Sequence, residues 1–257
     1  MPEKLISDRF PVIEPEGLEL DWLVAFTTLA QSQAQRGEGL VCTEGLFDFK
    51  AGQGELLRRE LECALAPLAV TWLTLEHGAT VVDIGDPLQP PSPVADGALV
   101  SIPGTAAAFT TADCLPLVIA CPRQRVAAAV HAGWRSLAGG IIQAAVMRMQ
   151  TTQGVDPVDL RVWIGPAIAG EDYEVSLEVR SALMACPAIT ARCFTQTRPG
   201  HWLADLPAAA AAVLSSMGVS SCHIVHYPES TFASRWLHSA RRDGAASGRM
   251  ATVVGIR

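Results

Sequence analysis

Ala112-Asp113-Cys114-Leu115-Pro116-Leu117-Val118-Ile119-Ala120 and, after a polar turn, Val126-Ala127-Ala128-Ala129-Val130-His131-Ala132-Gly133-Trp134-Arg135 are the stretches on which the fold turns. Each contains a short apolar run bounded by proline or polar residues, which reads as a strand. Cys114 precedes the first run and His131 closes the second, 17 residues later. A third candidate ligand, His77, lies upstream in Glu76-His77-Gly78-Ala79. Two imidazoles and a thiolate suit zinc, and three protein ligands leave a fourth position open, as catalytic rather than structural sites do. The spacing has none of the short intervals of a zinc finger or an HExxH helix. Taken alone, these residues leave open a buried apolar Cys114 and a merely hydrogen-bonded His131.

Outward from this stretch the pattern stays mixed. Ala106 to Thr110 reads as a further strand. A helix is expected from Ser136 as N-cap, with Ile141, Ile142, Ala145, Val146 and Met149 on one face and Gly154 at its end. His131 would then lie near a helix N-terminus, where backbone amides favour anions. Upstream, Trp22 to Phe26, Trp72 to Leu75 and Thr80 to Ile84 read as strands, and Glu55 to Leu68 as a helix. Residues 30–39 and the proline-rich run 86–93 read as loops. Downstream, Leu160 to Ile164, Ser221 to Val225 and Met250 to Ile256 read as strands and Leu177 to Met184 as a helix. An Ala-rich helix follows Asp205, with Pro207 in its first turn and Gly218 past its end. No repeat, no linker and no glycine fingerprint after a strand is evident. The expectation is an α+β fold, a single domain over 1–257 with mixed β-sheets packed against helices.

The 257 residues suffice for a sizeable core, and 49% hydrophobic content predicts ordered structure. Aromatics are only 6%, so Ala, Val, Leu and Ile must build that core. A net charge of −7 argues against a nucleic-acid partner. No apolar run is long enough for a membrane span, and no secretory leader follows Met1. Seven cysteines without a CxxC pair predict a reducing, cytoplasmic setting.

Charged and aromatic residues surround the candidate ligands. Asp113 is a candidate acid or base beside Cys114, and Glu76 is its rival. Trp134 offers a stacking face or core packing, and Arg135 a fork for phosphate or carboxylate. Arg241, Arg242 and Arg249 place three cations within nine residues of an acidic chain, fit either for an anion or for a solvated turn with Asp243.

Four segments in order resemble one family. They are Thr111-Ala112-Asp113-Cys114-Leu115-Pro116, Val130-His131-Ala132-Gly133-Trp134-Arg135, Ile164-Gly165-Pro166-Ala167-Ile168 followed by Tyr173-Glu174-Val175, and Arg241-Arg242-Asp243 followed by Gly248-Arg249-Met250-Ala251. Together they are similar to the YfiH/laccase-domain family, whose members are described as purine nucleoside phosphorylases and, in one branch, as peptidoglycan editing factors. The resemblance is clear from about residue 72 to 257 and weak over 1–71. It implies a YfiH-like α+β fold, a zinc site on His77, Cys114 and His131, and phosphorolysis of adenosine, inosine or methylthioadenosine, with adenosine deamination as a related activity. Asp113, Cys114 and Arg135 would be catalytic; Trp134, Arg241, Arg242 and Arg249 would hold nucleoside or phosphate. A monomer or homodimer is expected. Departures from the family's usual residues fall at Leu29 and its neighbours, at Leu75 and at Ser230. Three rivals stand beside this reading. One is a metal-free hydrolase with Cys114 as nucleophile and His131 as base. Another is a non-enzymatic factor acting on cell-wall precursors. The third, a multicopper oxidase, is disfavoured, because six histidines do not supply several copper centres.

Overall fold

The computed structural model describes residues 4–5, 10–30, 47–50, 52, 54–85 and 90–257. In chain order the elements are β1 (Lys4–Leu5), β2 (Pro11–Ile13), β3 (Leu23–Thr28), α1 (Glu55–Leu65), β4 (Ala69–Trp72), β5 (Val81–Asp83), β6 (Gly97–Val100), β7 (Thr105–Thr111), β8 (Leu115–Cys121) and β9 (Val126–Ala132). They continue with α2 (Trp134–Ala138), α3 (Ile141–Gln153), β10 (Arg161–Ile164), β11 (Glu174–Ser176), α4 (Leu177–Met184), β12 (Phe194–Arg198), β13 (His201–Ala204), α5 (Leu206–Ser216), β14 (Ile224–His226), α6 (Ala240–Asp243) and β15 (Met250–Ile256). The strands form two six-stranded mixed sheets, ordered β1-β2-β3-β15-β7-β4 and β14-β10-β8-β9-β6-β5, and a three-stranded sheet β11-β13-β12. This is the α+β architecture expected from the sequence.

The strand faces explain the layering. Along β8, Leu117, Ile119 and Cys121 pack into a cluster with α3 and α5. Val118 and Ala120 point the other way, into a cluster shared with Ala107 and Phe109 of β7 and Val254 and Ile256 of β15. Beyond the first sheet, Ala106, Ala108, Ala251 and Val253 meet Leu61 and Leu65 of α1. The order is therefore helix, sheet, sheet, helices, and the central strands read as unbroken apolar runs because both their faces are covered. Between the sheets the chain places Ala98, Ala107, Ala120, Ala127 and Ala129, all at most 1% exposed. Small side chains there leave room for Phe109 and Trp163, both wholly buried in the same layer. Each buried Leu or Ile in these layers contributes roughly 1.5–3 kcal/mol.

Several local expectations change. Ser136 is not an N-cap. Gly133 takes that position in extended backbone, and α2 ends at Gly139. Gly140, at φ 87°, opens α3. Ser136 is instead buried inside α2. Helix α1 stops at Leu65 rather than Leu68, because Ala66 precedes Pro67 and turns to ψ 136°. Ser221–His223 is a 3-10 turn, so β14 starts only at Ile224. The β12–β13 pair, with its largely exposed Thr195-Gln196-Thr197-Arg198, has no apolar alternation to announce it. Of the expected loops, residues 31–39 and 86–89 lie outside the described residues. Among those described, no helix is long and apolar enough to cross a membrane.

Candidate metal centre

Strand alternation decides where His131 points. In β9 it follows Ala127 and Ala129 on the face toward the first sheet, and its ring lies 6.1 Å from that of Phe109. It pairs across the ladder with Pro116, just past Cys114 at the head of β8. His77 arrives from the connection between β4 and β5. Its ring meets that of His131 edge-on, with centroids 4.9 Å apart. Cys114 Sγ lies 4.0 Å from His77 Nε2. Donor atoms of all three side chains fall within 4.8 Å of one another, and no other such group occurs among the described residues.

These residues fit a metal ion. Tetrahedral zinc sets sulfur and nitrogen donors roughly 3.5 Å apart, so drawing the Cys114–His77 pair onto one ion takes about half an ångström. The space is kept open by Gly133, where an added Cβ would stand 2.9 Å from His77 Cδ2 and 3.0 Å from Cys114 Sγ. His131 is buried, Cys114 partly buried and His77 exposed, so the trio faces solvent on one side.

Two of the surrounding residues have left-handed backbones, His77 at φ 60° and Asp113 at φ 87°. Such conformations in residues other than glycine need support from their neighbours. For His77 the support is Asp96, wholly buried at the head of β6. Its carboxylate accepts the backbone N–H of Glu76, His77 and Gly78 at 3.3, 3.0 and 2.7 Å. It also accepts His131 Nδ1–H at 2.8 Å and faces Ser136 Oγ at 3.5 Å. The sequence pattern alone does not mark Asp96 as a site residue. Its signal was a lone acid within Val94-Ala95-Asp96-Gly97-Ala98-Leu99.

The electrostatics follow from this packing. Burial works to raise the Cys114 thiol, but hydrogen bonds and charge from His131 and His77 outweigh it and bring it down to about 6. Burial opposes a charged His131, yet its bonds to Asp96 and Cys114 raise it to about 9. Burial also opposes ionisation of Asp96, and the hydrogen bonds from His131 and the loop amides still hold its carboxyl below the ordinary value. A thiolate beside polarised imidazoles is an attractive site for a cation, whose binding displaces protons.

The other expected site residues divide. Asp113 is buried, and both its oxygens are engaged: Oδ1 accepts from Thr231 Oγ1 and Oδ2 from the Arg241 amide, each at 2.6 Å. It ties the Cys114 turn to the C-terminal segment. Arg242 donates through Nη1 and Nη2 to the carbonyls of Thr231, Ser234 and Leu237 and to Asp243. Arg249 donates to the carbonyls of Ser247 and Gly248. Arg135 is exposed and lies over the ring of Trp134, 4.3 Å from its centroid, while Trp134 packs partly into the helix-side core. Arg241 lies 4.8 Å over Tyr173, whose hydroxyl is pushed up to about 12 by burial and then by the negative charge of Cys114. Tyr173 lies in the segment Tyr173-Glu174-Val175, and this environment keeps it a protonated phenol. Leu29 is buried, Leu75 packs against the sheet–sheet core, and Ser230 Oγ donates to Asp172 while accepting the Ala169 amide.

Comparison with known proteins agrees with this architecture. Residues 53–257 match the family described as multi-copper polyphenol oxidoreductase laccase. A purine nucleoside phosphorylase of Xylella fastidiosa is 35% identical over 202 residues, 77% of this chain and 76% of its own. The purine nucleoside phosphorylase YfiH of Escherichia coli is 33% identical over 189 residues, 73% of this chain and 74% of its own. The crystal structure of the Bacillus licheniformis hypothetical protein YfiH superposes with a TM-score of 0.83 at 21% identity, covering 100% of this chain and 99% of that one, a likeness of fold. The chain belongs to the laccase-domain family of YfiH proteins.

Proposed function

We propose that this protein is a purine nucleoside phosphorylase that holds one zinc ion on His77, Cys114 and His131. The observation that carries the reading is the convergence of these three donors at a solvent-facing rim, in a chain whose relatives bear that name. Zinc is preferred to copper because multicopper oxidation needs several centres, and the described residues hold a single cluster. When bound, zinc supplies a Lewis acid with an open coordination position.

The chain's own residues account for the rest. In phosphorolysis a phosphate oxygen bonds to C1′ of the ribose, the C1′–N9 bond breaks, and the purine leaves with the electron pair and takes up a proton. Arg135 is the exposed cation nearest in sequence to the ligands and is suited to orient phosphate. Arg241, stacked on Tyr173, is the second candidate. The Tyr173 phenol, held protonated, can donate a hydrogen bond to substrate. Arg242 and Arg249 act through the backbone carbonyls they hold.

The test is metal analysis of the purified protein together with a nucleoside panel, with and without phosphate. Adenosine, inosine and methylthioadenosine should release free base and ribose 1-phosphate only with phosphate present. Inosine appearing from adenosine reports deamination. A zinc-loaded protein inert toward the whole panel would refute the enzymatic reading.

A further inference from the structure

We infer that Asp96 is a positioning residue that sets both histidines of the metal centre at once. This rests on the metal reading above. Its backbone and side chain both act on His131: the Asp96 carbonyl accepts the His131 amide at 2.7 Å, and Oδ1 accepts Nδ1–H of the same residue at 2.8 Å. With Nδ1 holding the proton, Nε2 is the nitrogen left with a lone pair for an ion. Oδ1 also accepts the His77 amide, while Oδ2 accepts those of Gly78 and Glu76. Three consecutive N–H groups converge on one carboxylate, which holds His77 in its left-handed backbone. One side chain thus fixes the tautomer of one ligand and the approach of another that is 54 residues away in sequence.

An ionised carboxylate is needed because every partner is a donor. Asparagine has the same shape but carries one acceptor oxygen and one NH2 donor. In Asp96→Asn the NH2 must face either His131 Nδ1 and the His77 amide, or the amides of Gly78 and Glu76. The first arrangement drives the His131 proton to Nε2 and closes that nitrogen to metal. The second frees the His77 loop. Neither leaves the pair intact.

The experiment measures the Zn2+ dissociation constant of the full chain by competition with a chromophoric chelator, and the visible absorption of the Co2+-loaded protein. Native protein, Asp96→Asn and Asp83→Asn are compared, with folding checked by circular dichroism. Among the described residues the Asp83 side chain pairs with Arg148 at the surface, so Asp83→Asn should bind zinc like the native chain. Asp96→Asn should bind it roughly 10–100-fold more weakly and lose the intense Co2+ bands of a tetrahedral site. A purely structural role would lower the melting temperature and leave both readouts unchanged in the folded variant. Should Asp96→Asn fail to fold, nitrogen-15 NMR of the native zinc-loaded protein decides, since His131 must carry its proton on Nδ1. A proton on Nε2, or native-like zinc affinity in folded Asp96→Asn, overturns the inference alone. A native chain that binds neither Zn2+ nor Co2+ overturns the metal reading and this inference together.

Discussion

Gly133→Ala separates the metal site from the fold. Gly133 sits at φ −68° and ψ 166°, backbone that alanine adopts without strain. On the unfolded side alanine even helps slightly, by about 0.4–1 kcal/mol. The added methyl, however, would stand 2.9 Å from His77 Cδ2 and 3.0 Å from Cys114 Sγ. Carbon contacts settle at about 3.5–4.0 Å, so at least one ligand must retreat by about 0.5 Å or more. Metal–ligand distances tolerate about 0.2 Å. The His77 backbone is pinned by Asp96, and Cys114 directly precedes the β8 ladder that starts at Leu115, so the clash falls on the donor atoms. The expected result is a melting temperature of the metal-free protein within a few degrees of native, and zinc affinity reduced by about 100-fold. Chelator competition and thermal unfolding, run on the same preparation, report the two quantities. Native zinc affinity in folded Gly133→Ala would show that the ion does not sit between His77 and Cys114.

Cys114→Ala should lose zinc and activity together, whereas Cys193→Ala, a thiol packed in the helix-side core, should keep both; metal stoichiometry and turnover on folded variants check this. Arg135→Ala should raise the phosphate concentration needed for half-maximal rate by about one to two decades, the worth of one charge-assisted hydrogen bond, with little change in stability. Arg242→Ala should do the reverse, costing roughly 2–3 kcal/mol in urea unfolding by releasing the carbonyls of Thr231, Ser234 and Leu237. Burial lowers the pKa of His238, which donates from Nε2 to the Phe47 carbonyl. The unfolded chain, titrating near about 6.5, then binds more protons than the folded one. This contribution is full above that pH and is lost as pH falls toward the lower folded value. Native protein should therefore lose more stability between pH 7 and 5 than His238→Gln does, and equal losses would refute the assignment.

The legible parts of the sequence were those in which one segment carries its own signal. β8 and β9 are continuous apolar runs because both faces are covered, and β15 is legible over its full span, Met250–Ile256. The α5 signals were local as well: Asp205 caps Ala208 and Pro207 lies in the first turn. Arginines were less legible. Arg135, Arg241, Arg242 and Arg249 look alike in sequence, yet Arg242 and Arg249 spend their donors on carbonyls that only the folded 231–248 segment presents. Asp113 drew attention for its place beside Cys114, but Thr231 and Arg241, more than a hundred residues away, take its oxygens.

Asp96 was hidden for the same reason, and its case shows how the fold makes the site. The β6–β9 ladder brings Gly97 opposite Val130, so the residues just beyond that pair, Asp96 and His131, meet at the strand ends. The β5–β6 pairing brings the chain that follows His77 alongside. Alanines between the sheets let the layers close, and His131, on that same face, reaches the rim beside Phe109 rather than solvent. Composition that looks uninformative, rich in alanine, thus helps set the depth at which a histidine can be buried against a carboxylate and still offer Nε2 to the other two ligands.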